Sequence, residues 1–168
     1  MPKTEKLFLR PIEKKDAFGV YIWELDKETQ RVTQSEIKVS LENIYALIEQ
    51  QTDVHNSSQL RMMICLSNTH GAIGMVDLYD VDFEKRIAYV GVLIADKPSR
   101  KKGYARQALV LMAQYAKKEL KLIQLKAMIQ PNNKASIALF ESLDYFRSSE
   151  KTVDSNLISF ELALWKEF

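Results

Sequence analysis

Residues 90–116 read VGVLIADKPSRKKGYARQALVLMAQYA, and this stretch decides the fold. An apolar run with strand character leads through a basic turn that contains Gly103 into a segment with helical periodicity. The helical spacing places on one face Ala105, Ala108, Leu109, Met112, Ala113 and Ala116. A stripe this rich in alanine predicts a helix that packs closely on a sheet and joins two parallel neighbouring strands.

The turn between this strand and this helix has the properties of an anion-binding site. A helix N-terminus presents unpaired backbone N–H groups and the positive end of the helix dipole. The cationic side chains around the turn are Lys97, Arg100, Lys101, Lys102 and Arg106. Gly103 permits a close approach of the backbone, and Ala105 adds little bulk. Two interpretations fit these residues: a site for a polyphosphate or pyrophosphate group, or a solvated basic turn before an ordinary helix.

Towards the N-terminus, the sequence predicts one strand, two helices and three further strands. LFLRPI (7–12) has strand character, and EKKDAFGVYIWELD (13–26) has helical spacing with an acidic start. The polar segment 27–39 is interpreted as a loop or short turns, and Ser40 as the N-cap of a helix over 41–50. Three strand-like runs follow, separated by turns typical of antiparallel hairpins: 59–67, 71–82 and 85–95.

Towards the C-terminus, the pattern predicts a strand over 122–130 and a short helix begun by Asn132 or Asn133. A closing pair of strands follows, over 145–151 and 156–165. The full order is therefore β-α-α-β-β-β-α-β-α-β-β, which is a mixed α/β sheet of the α+β kind. Because no repeat, low-complexity tract or linker interrupts it, residues 1–168 are predicted to form a single domain.

Composition argues against several classes of protein. The chain carries 24 Lys and Arg against 22 Asp and Glu, and a net charge of +2 gives no reason to expect a nucleic-acid partner. Cys65 has no partner for an internal disulfide, and neither His55 nor His70 lies at metal-ligand spacing from it, so no metal site is expected. The longest apolar run, 88–95, is too short to span a membrane, and the N-terminus lacks a signal-peptide pattern. We therefore expect a cytoplasmic protein with no membrane partner.

Three segments, in the expected order, resemble the GNAT family of N-acetyltransferases. Residues 100–105, RKKGYA, fit the [RQ]-x-x-G-x-[GA] signature, placed between the fourth strand and the third helix. Residues 133–146, NKASIALFESLDYF, resemble the segment N-x-x-S-x-x-L-Y-x-x-L-G-F. LRPIEKKDA (9–17) is similar to the start of the branch that contains ribosomal-protein N-terminal and spermidine acetyltransferases. The resemblance implies a mostly antiparallel twisted sheet of about seven strands flanked by about four helices.

The resemblance also implies acetyl-CoA as co-substrate and an amine as acceptor. In the family, the turn before the central helix binds the pyrophosphate, which here implies Arg100, Lys101, Lys102, Gly103, Tyr104 and Ala105. The end of the fourth strand pairs with the pantetheine arm, which implies Leu93, Ile94 and Ala95. Asn133 is expected to bind the pantetheine side, and it also has the residue type and position of an N-cap.

The catalytic groups are less well defined by the resemblance. Phe140 replaces a tyrosine thought to protonate the thiolate, and Asp144 replaces a glycine. A proton donor is then Tyr145, Tyr104 or Tyr89, or the thiolate leaves unaided. Tyr89 stands where similar spermidine acetyltransferases carry a glutamate, and Asp77 is the candidate to bind or deprotonate the amine. The catalytic prediction is thus Asp77, Tyr89 and Tyr145, whereas Asp80 and Asp82 are interpreted as parts of a solvated strand face or turn caps. Glu24 and Asp26, near the end of the first helix, are interpreted as surface charges, and a place in an acceptor cleft stays open for both.

The sequence thus predicts an N-acetyltransferase in which a primary amine attacks the thioester directly. The alternative is a catalytically impaired CoA-binding module, motivated by Phe140. A small-molecule amine (a polyamine or an amino sugar) and a peptide N-terminus both remain open as acceptors, and a homodimer is compatible with the sequence.

Overall fold

The computed structural model describes residues 5–33, 39–51, 53–149 and 156–165. Within these ranges, seven strands form one sheet in the order β1-β2-β3-β4-β5-β7-β6. Their bounds are β1 Leu7–Pro11, β2 Leu60–Leu66, β3 Ala72–Asp82, β4 Ile87–Ile94, β5 Gln124–Ile129, β6 Phe146–Arg147 and β7 Ile158–Ala163. Neighbouring strands are antiparallel except β4 and β5, which are parallel. The predicted mixed, mostly antiparallel sheet of seven strands is confirmed.

The described residues form six α-helices beside the sheet, two more than predicted. They are α1 Ala17–Leu25, α2 Lys27–Thr33, α3 Leu41–Gln50, α4 Val54–Ser57, α5 Tyr104–Lys118 and α6 Lys134–Ser142. Short 3-10 turns, Lys14–Asp16 and Lys97–Ser99, precede α1 and α5. The additional helices are α2 and the single turn α4, and α4 begins where the Asp53 side chain accepts a hydrogen bond from the backbone N–H of Asn56.

The helix α2 lies in the segment 27–39 that the sequence predicted to be a loop or turns, and that prediction is wrong for Lys27–Thr33. Asp26 explains the difference, because its Oδ1 accepts hydrogen bonds from the backbone N–H groups of Glu28 and Thr29. A polar sequence with no apolar stripe is thus helical because it is capped. Residues 34–38 of the same segment lie outside the described residues. The N-cap prediction for Ser40 is confirmed by a 3.1 Å hydrogen bond from the N–H of Asn43.

A hydrophobic core lies on each face of the sheet. On one face, the alanine-rich stripe of α5 is buried as predicted, against residues that include Ile64, Val76 and Leu125. On the other face, α1 and α3 cover a smaller core built from Ile12, Ala17, Val20, Ile44, Ile48, Met63, Cys65 and Met75. Among the described residues, no helix combines the length and the apolar character needed to cross a membrane. The sheet therefore lies between two apolar layers.

The parallel pairing of β4 with β5 is short, and this opens the sheet. The register pairs run from Ile87–Gln124 to Tyr89–Lys126 and stop there. Beyond that point β4 stays paired with β3, through to Ile94, while β5 pairs with β7. The two strands therefore separate towards their C-terminal ends, and each keeps one backbone edge without a strand partner.

The position of β4 is fixed from its other side by a close approach to β3. A Cβ atom on Gly74 would lie 2.0 Å from the backbone carbonyl oxygen of Leu93, so only glycine fits there. Two consecutive N–H groups, of Ala95 and Asp96, both donate to the carbonyl oxygen of Ile73 beside it. This contact holds the end of β4 at the point where the chain turns towards α5.

Gly74→Ala should lower the free energy of unfolding by about 2–3 kcal/mol, because the obstructing atom belongs to the backbone and cannot rotate away. Gly19→Ala is the matched control: it lies in α1 with no atom within 4 Å of the added Cβ, and should raise stability by up to about 1 kcal/mol. Urea unfolding of both variants measures the difference. Equal stabilities would contradict the close approach of β3 and β4.

Candidate active site

The separation of β4 and β5 creates a cleft of about 490 Å³ that passes through the sheet. Its walls include Val90–Leu93 of β4 and Ala127–Ile129 of β5, beyond the last register pair. On the α5 side it reaches Asn133, Ser136 and Phe140 of the α6 region. On the α1 and α3 side it reaches Glu24, Ser40, Asn43, Arg61 and Asp77. A ligand bound from one face can thus meet a ligand bound from the other.

The turn that follows β4 has backbone geometry suited to binding an anion. Gly103 takes φ +81°, a left-handed conformation, and is the N-cap residue of α5. Because glycine has no side chain, the first N–H groups of α5 receive no side-chain cap. Lys101 also has a positive φ of 60°. The first turn of α5 therefore presents N–H donors at the end of the cleft strand.

The cationic side chains of this turn fall into two groups. Arg100 donates from Nε to the carbonyl oxygen of Ile94 at 2.9 Å and from Nη1 to Glu28 at 3.1 Å. Lys97 lies 3.5 Å from a Glu28 oxygen and 3.7 Å from an Asp26 oxygen. Among the described residues, Lys101, Lys102 and Arg106 are exposed and make no ion pair. The five predicted cations are thus adjacent, but two of them are bound to carboxylates at the start of α2.

Asn133 has the N-cap role that the sequence suggested. Its Oδ1 accepts a hydrogen bond from the N–H of Ser136 at 3.2 Å, which caps α6, and the residue also lines the cleft. At the other end of α6, Asp144 takes φ 66° and adopts the left-handed conformation that a glycine would supply. Both ends of α6 therefore follow the pattern predicted from residues 133–146.

Asp77 lies in the cleft with both carboxylate oxygens occupied by one arginine. Arg61 donates from Nε to Oδ1 and from Nη2 to Oδ2, both at 2.9 Å, and from Nη1 to Oε1 of Glu24 at 2.7 Å. Burial lowers the pKa of Arg61, but Asp77 and Glu24 outweigh it, so the net shift is upward and the guanidinium stays charged. The sequence prediction did not name Arg61, and it left Glu24 open between a surface charge and a residue that lines an acceptor cleft. The available signal for Arg61 was a charged residue within the otherwise apolar run of β2.

The two tyrosines in the catalytic prediction lie beside the cleft rather than among the described residues that line it. Tyr89 stacks on Tyr79, with ring centroids 5.5 Å apart, and it is Tyr79 that lines the cleft. Burial, followed by the nearby Asp80, raises the pKa of Tyr79 to about 12. Tyr145 lies behind Phe140, edge to face at 4.9 Å, and Phe140 lines the cleft.

Comparison with known proteins gives the family. The model of the acetyltransferase (GNAT) domain matches residues 6–145. The chain belongs to the GNAT family. It is therefore an acetyltransferase, and its co-substrate is acetyl-CoA, as expected from the motifs at 100–105 and 133–146. The first N–H groups of α5 and exposed cations are of the kind that binds phosphate groups.

Two curated proteins and one solved structure that are similar to this chain are named as N-acetyltransferases. An N-acetyltransferase 9-like protein of Caenorhabditis briggsae is 29% identical over 148 residues, which cover 82% of this chain and 73% of that protein. The alpha/beta-tubulin-N-acetyltransferase 9 of Drosophila melanogaster is 26% identical, covering 82% and 74%. A crystal structure of spermidine N-acetyltransferase from Vibrio cholerae in complex with CoA and spermine superimposes with a TM-score of 0.82 at 18% identity, covering 95% and 96%. The chain therefore has the same fold as this Vibrio cholerae structure over nearly its whole length.

Tyr145→Phe should leave the protein as stable as the wild type at pH 7, or more stable by about 1–2 kcal/mol. The Tyr145 hydroxyl is buried and has no hydrogen-bond partner among the described residues, so its removal ends a desolvation cost. Burial raises the pKa of Tyr145 in the folded protein above its ordinary value of about 10. Above pH 10 the hydroxyl ionises in the unfolded chain but stays protonated in the folded protein, so the free energy of unfolding falls as the pH rises. The variant should therefore lose less stability than the wild type between pH 10 and 11.

Urea unfolding at pH 7 and at pH 10.5 measures both effects. Tyr45→Phe is the control, because Tyr45 is exposed on α3 and its replacement should change neither value. A clear loss of stability in Tyr145→Phe at pH 7 would show that the hydroxyl has a bonding partner.

Proposed function

We propose that this protein transfers the acetyl group of acetyl-CoA to a primary amine, which attacks the thioester directly. The observation that carries the proposal is the cleft that crosses the sheet between β4 and β5. An anion-binding turn lies at the end of β4, next to this cleft, and a polar, charged cluster lies at its α1 and α3 side. Two substrates can therefore enter from different faces and meet between the strands.

On the cofactor side, the residues present are suited to the separate parts of acetyl-CoA, which supplies the activated acetyl group. Leu93, Ile94 and Ala95 remain the residues predicted to bind the pantetheine arm. Two of their backbone groups are already bonded, since the N–H of Ala95 donates to Ile73 and the carbonyl oxygen of Ile94 accepts from Arg100. The N–H groups of 101–105 and the cations Lys101 and Lys102 would bind the pyrophosphate, whereas the N–H of Arg100 already donates to Lys97. Arg100 would act differently from the sequence prediction, since its guanidinium holds the turn to the carbonyl of Ile94.

On the acceptor side, an amine must lose a proton before it attacks. The carboxylates Asp77 and Glu24 lie where an ammonium group entering from the α1 and α3 face would arrive. A leaving thiolate near Phe140 would find no hydroxyl on that ring, and Tyr145 lies directly behind it. A thiol has an ordinary pKa of roughly 8.5, so departure without a proton donor is chemically accessible. Asp77, Tyr89 and Tyr145 remain the predicted catalytic groups.

The acceptor is a small-molecule amine or the N-terminus of a peptide. The curated relative from Drosophila is named for tubulin, and the structure from Vibrio cholerae contains spermine. The test is release of thiol from acetyl-CoA with a panel of acceptors: spermidine, butylamine, glucosamine and a short unblocked peptide. Turnover with at least one amine is expected. Binding of CoA without turnover on any acceptor would instead support a catalytically impaired CoA-binding module.

The double variant Lys101→Ala/Lys102→Ala should raise the KM for acetyl-CoA about fivefold, because two exposed cations each contribute roughly 0.5 kcal/mol to binding a phosphate. The effect should shrink as salt is added, since exposed charges are screened. Lys85→Ala is the matched control: this exposed lysine lies in the turn before β4, at the opposite end of that strand. Equal KM values for the double variant and the control would contradict this placement of the pyrophosphate.

A further inference from the structure

The charged side chains that line the described part of the cleft are Glu24, Arg61 and Asp77. The other described lining residues are apolar or neutral polar, such as Thr29, Ser40 and Asn43. With both carboxylates ionised and the guanidinium protonated, the acceptor end of the cleft carries one net negative charge. A binding site with this balance differs from the acidic groove that a polyamine requires.

Arg61 is held rigidly by contacts on both its backbone and its side chain. Its backbone N–H donates to the side-chain carbonyl of Gln51, and its carbonyl oxygen accepts from the N–H of Ile12. Its side chain is 15% exposed and donates from three nitrogens to two carboxylates. A guanidinium fixed in this way keeps its position when an acceptor enters, because its planar donors are already paired.

Glu24 and Asp77 are not equivalent within this cluster. Both oxygens of Asp77 accept from Arg61, whereas Glu24 accepts with Oε1 only. The side chain of Glu24 is 26% exposed, and its Oε2 has no hydrogen-bond partner among the described residues. Glu24 is therefore the carboxylate with an oxygen available to an incoming ammonium group, and Arg61 orients it.

We propose that Glu24 binds the ammonium group of the acceptor and that Arg61 restricts the acceptor to a single ammonium group near the reacting nitrogen. This inference rests on the proposed function and narrows its substrate class to monoamines, including a peptide α-amine. A polyamine places a second ammonium only a few methylene groups from the first. In this cleft that second charge meets the Arg61 guanidinium and a carboxylate whose oxygens are already occupied.

The test compares kcat/KM for spermidine and for butylamine, which share a primary amine on a short alkyl chain but differ in the number of ammonium groups. The wild-type protein should prefer butylamine. Arg61→Gln leaves two carboxylates without their counter-ion and should raise the ratio of spermidine to butylamine at least tenfold. Arg61→Lys keeps the positive charge and should leave the ratio within about threefold of the wild type.

Arg10→Gln is the matched control. Arg10 forms an equally close two-point pair with Asp16, at 2.7 and 2.8 Å, in the neighbouring strand β1, and it does not line the described cleft. It should leave the ratio unchanged. Glu24→Gln supplies a test that does not depend on the folding of an Arg61 variant. It should raise the KM for butylamine at least fivefold and leave the KM for acetyl-CoA unchanged.

Three results would overturn the inference: a wild-type preference for spermidine, an unchanged ratio in folded Arg61→Gln, or an unchanged butylamine KM in Glu24→Gln. Failure of the proposed function has a different signature, because the wild-type protein would then turn over none of the acceptors.

Discussion

The separation of β4 from β5 is the constraint on which the site depends. Parallel pairing ends at Tyr89–Lys126, and each strand is then bound on its other side, β4 by β3 and β5 by β7. The two strands cannot close the gap without losing those antiparallel partners or the apolar layers above and below the sheet. Open backbone edges in a protein interior are costly unless a ligand or water pairs with them. The fold therefore maintains a cleft whose unpaired backbone groups can form hydrogen bonds with an extended ligand.

The start of α2 connects the two faces of this cleft electrostatically. Asp26 caps α2 with one oxygen, and Asp26 and Glu28 both approach Lys97. Glu28 also binds Arg100, whose Nε is bonded to the end of β4. The start of α2 is thus linked to the turn after β4 by ion pairs, while Thr29 of the same helix is buried.

Sequence patterns predicted the helices and strands that are marked by regularly spaced apolar residues or by a capping residue. The stripe of α5, the strand-like runs of β2 to β4 and the N-caps Ser40 and Asn133 are local signals, and the structure confirms each of them. The helix α2 was not predicted, because its only strong signal is the capping carboxylate of Asp26. The cluster of Glu24, Arg61 and Asp77 was not predicted. Arg61 and Asp77 lie opposite each other because of the register of β2 and β3, and Glu24 joins them only when α1 packs on the sheet. Local periodicity carries no information about such a meeting.

The strand order also has a consequence for how the chain acquires its shape during synthesis. The strand β7 follows β6 in sequence but lies between β5 and β6 in the sheet. On a ribosome, β5 therefore emerges long before β7, which pairs with one of its edges. Along that edge, Leu125 and Ala127 have no strand partner until Leu162 and Phe160 have been made. An unpaired apolar edge of this kind attracts other chains. The wall of the cleft formed by β5 is completed only when residues 156–165 have been made, so a nascent chain is most vulnerable to aggregation just before it becomes able to hold its co-substrate.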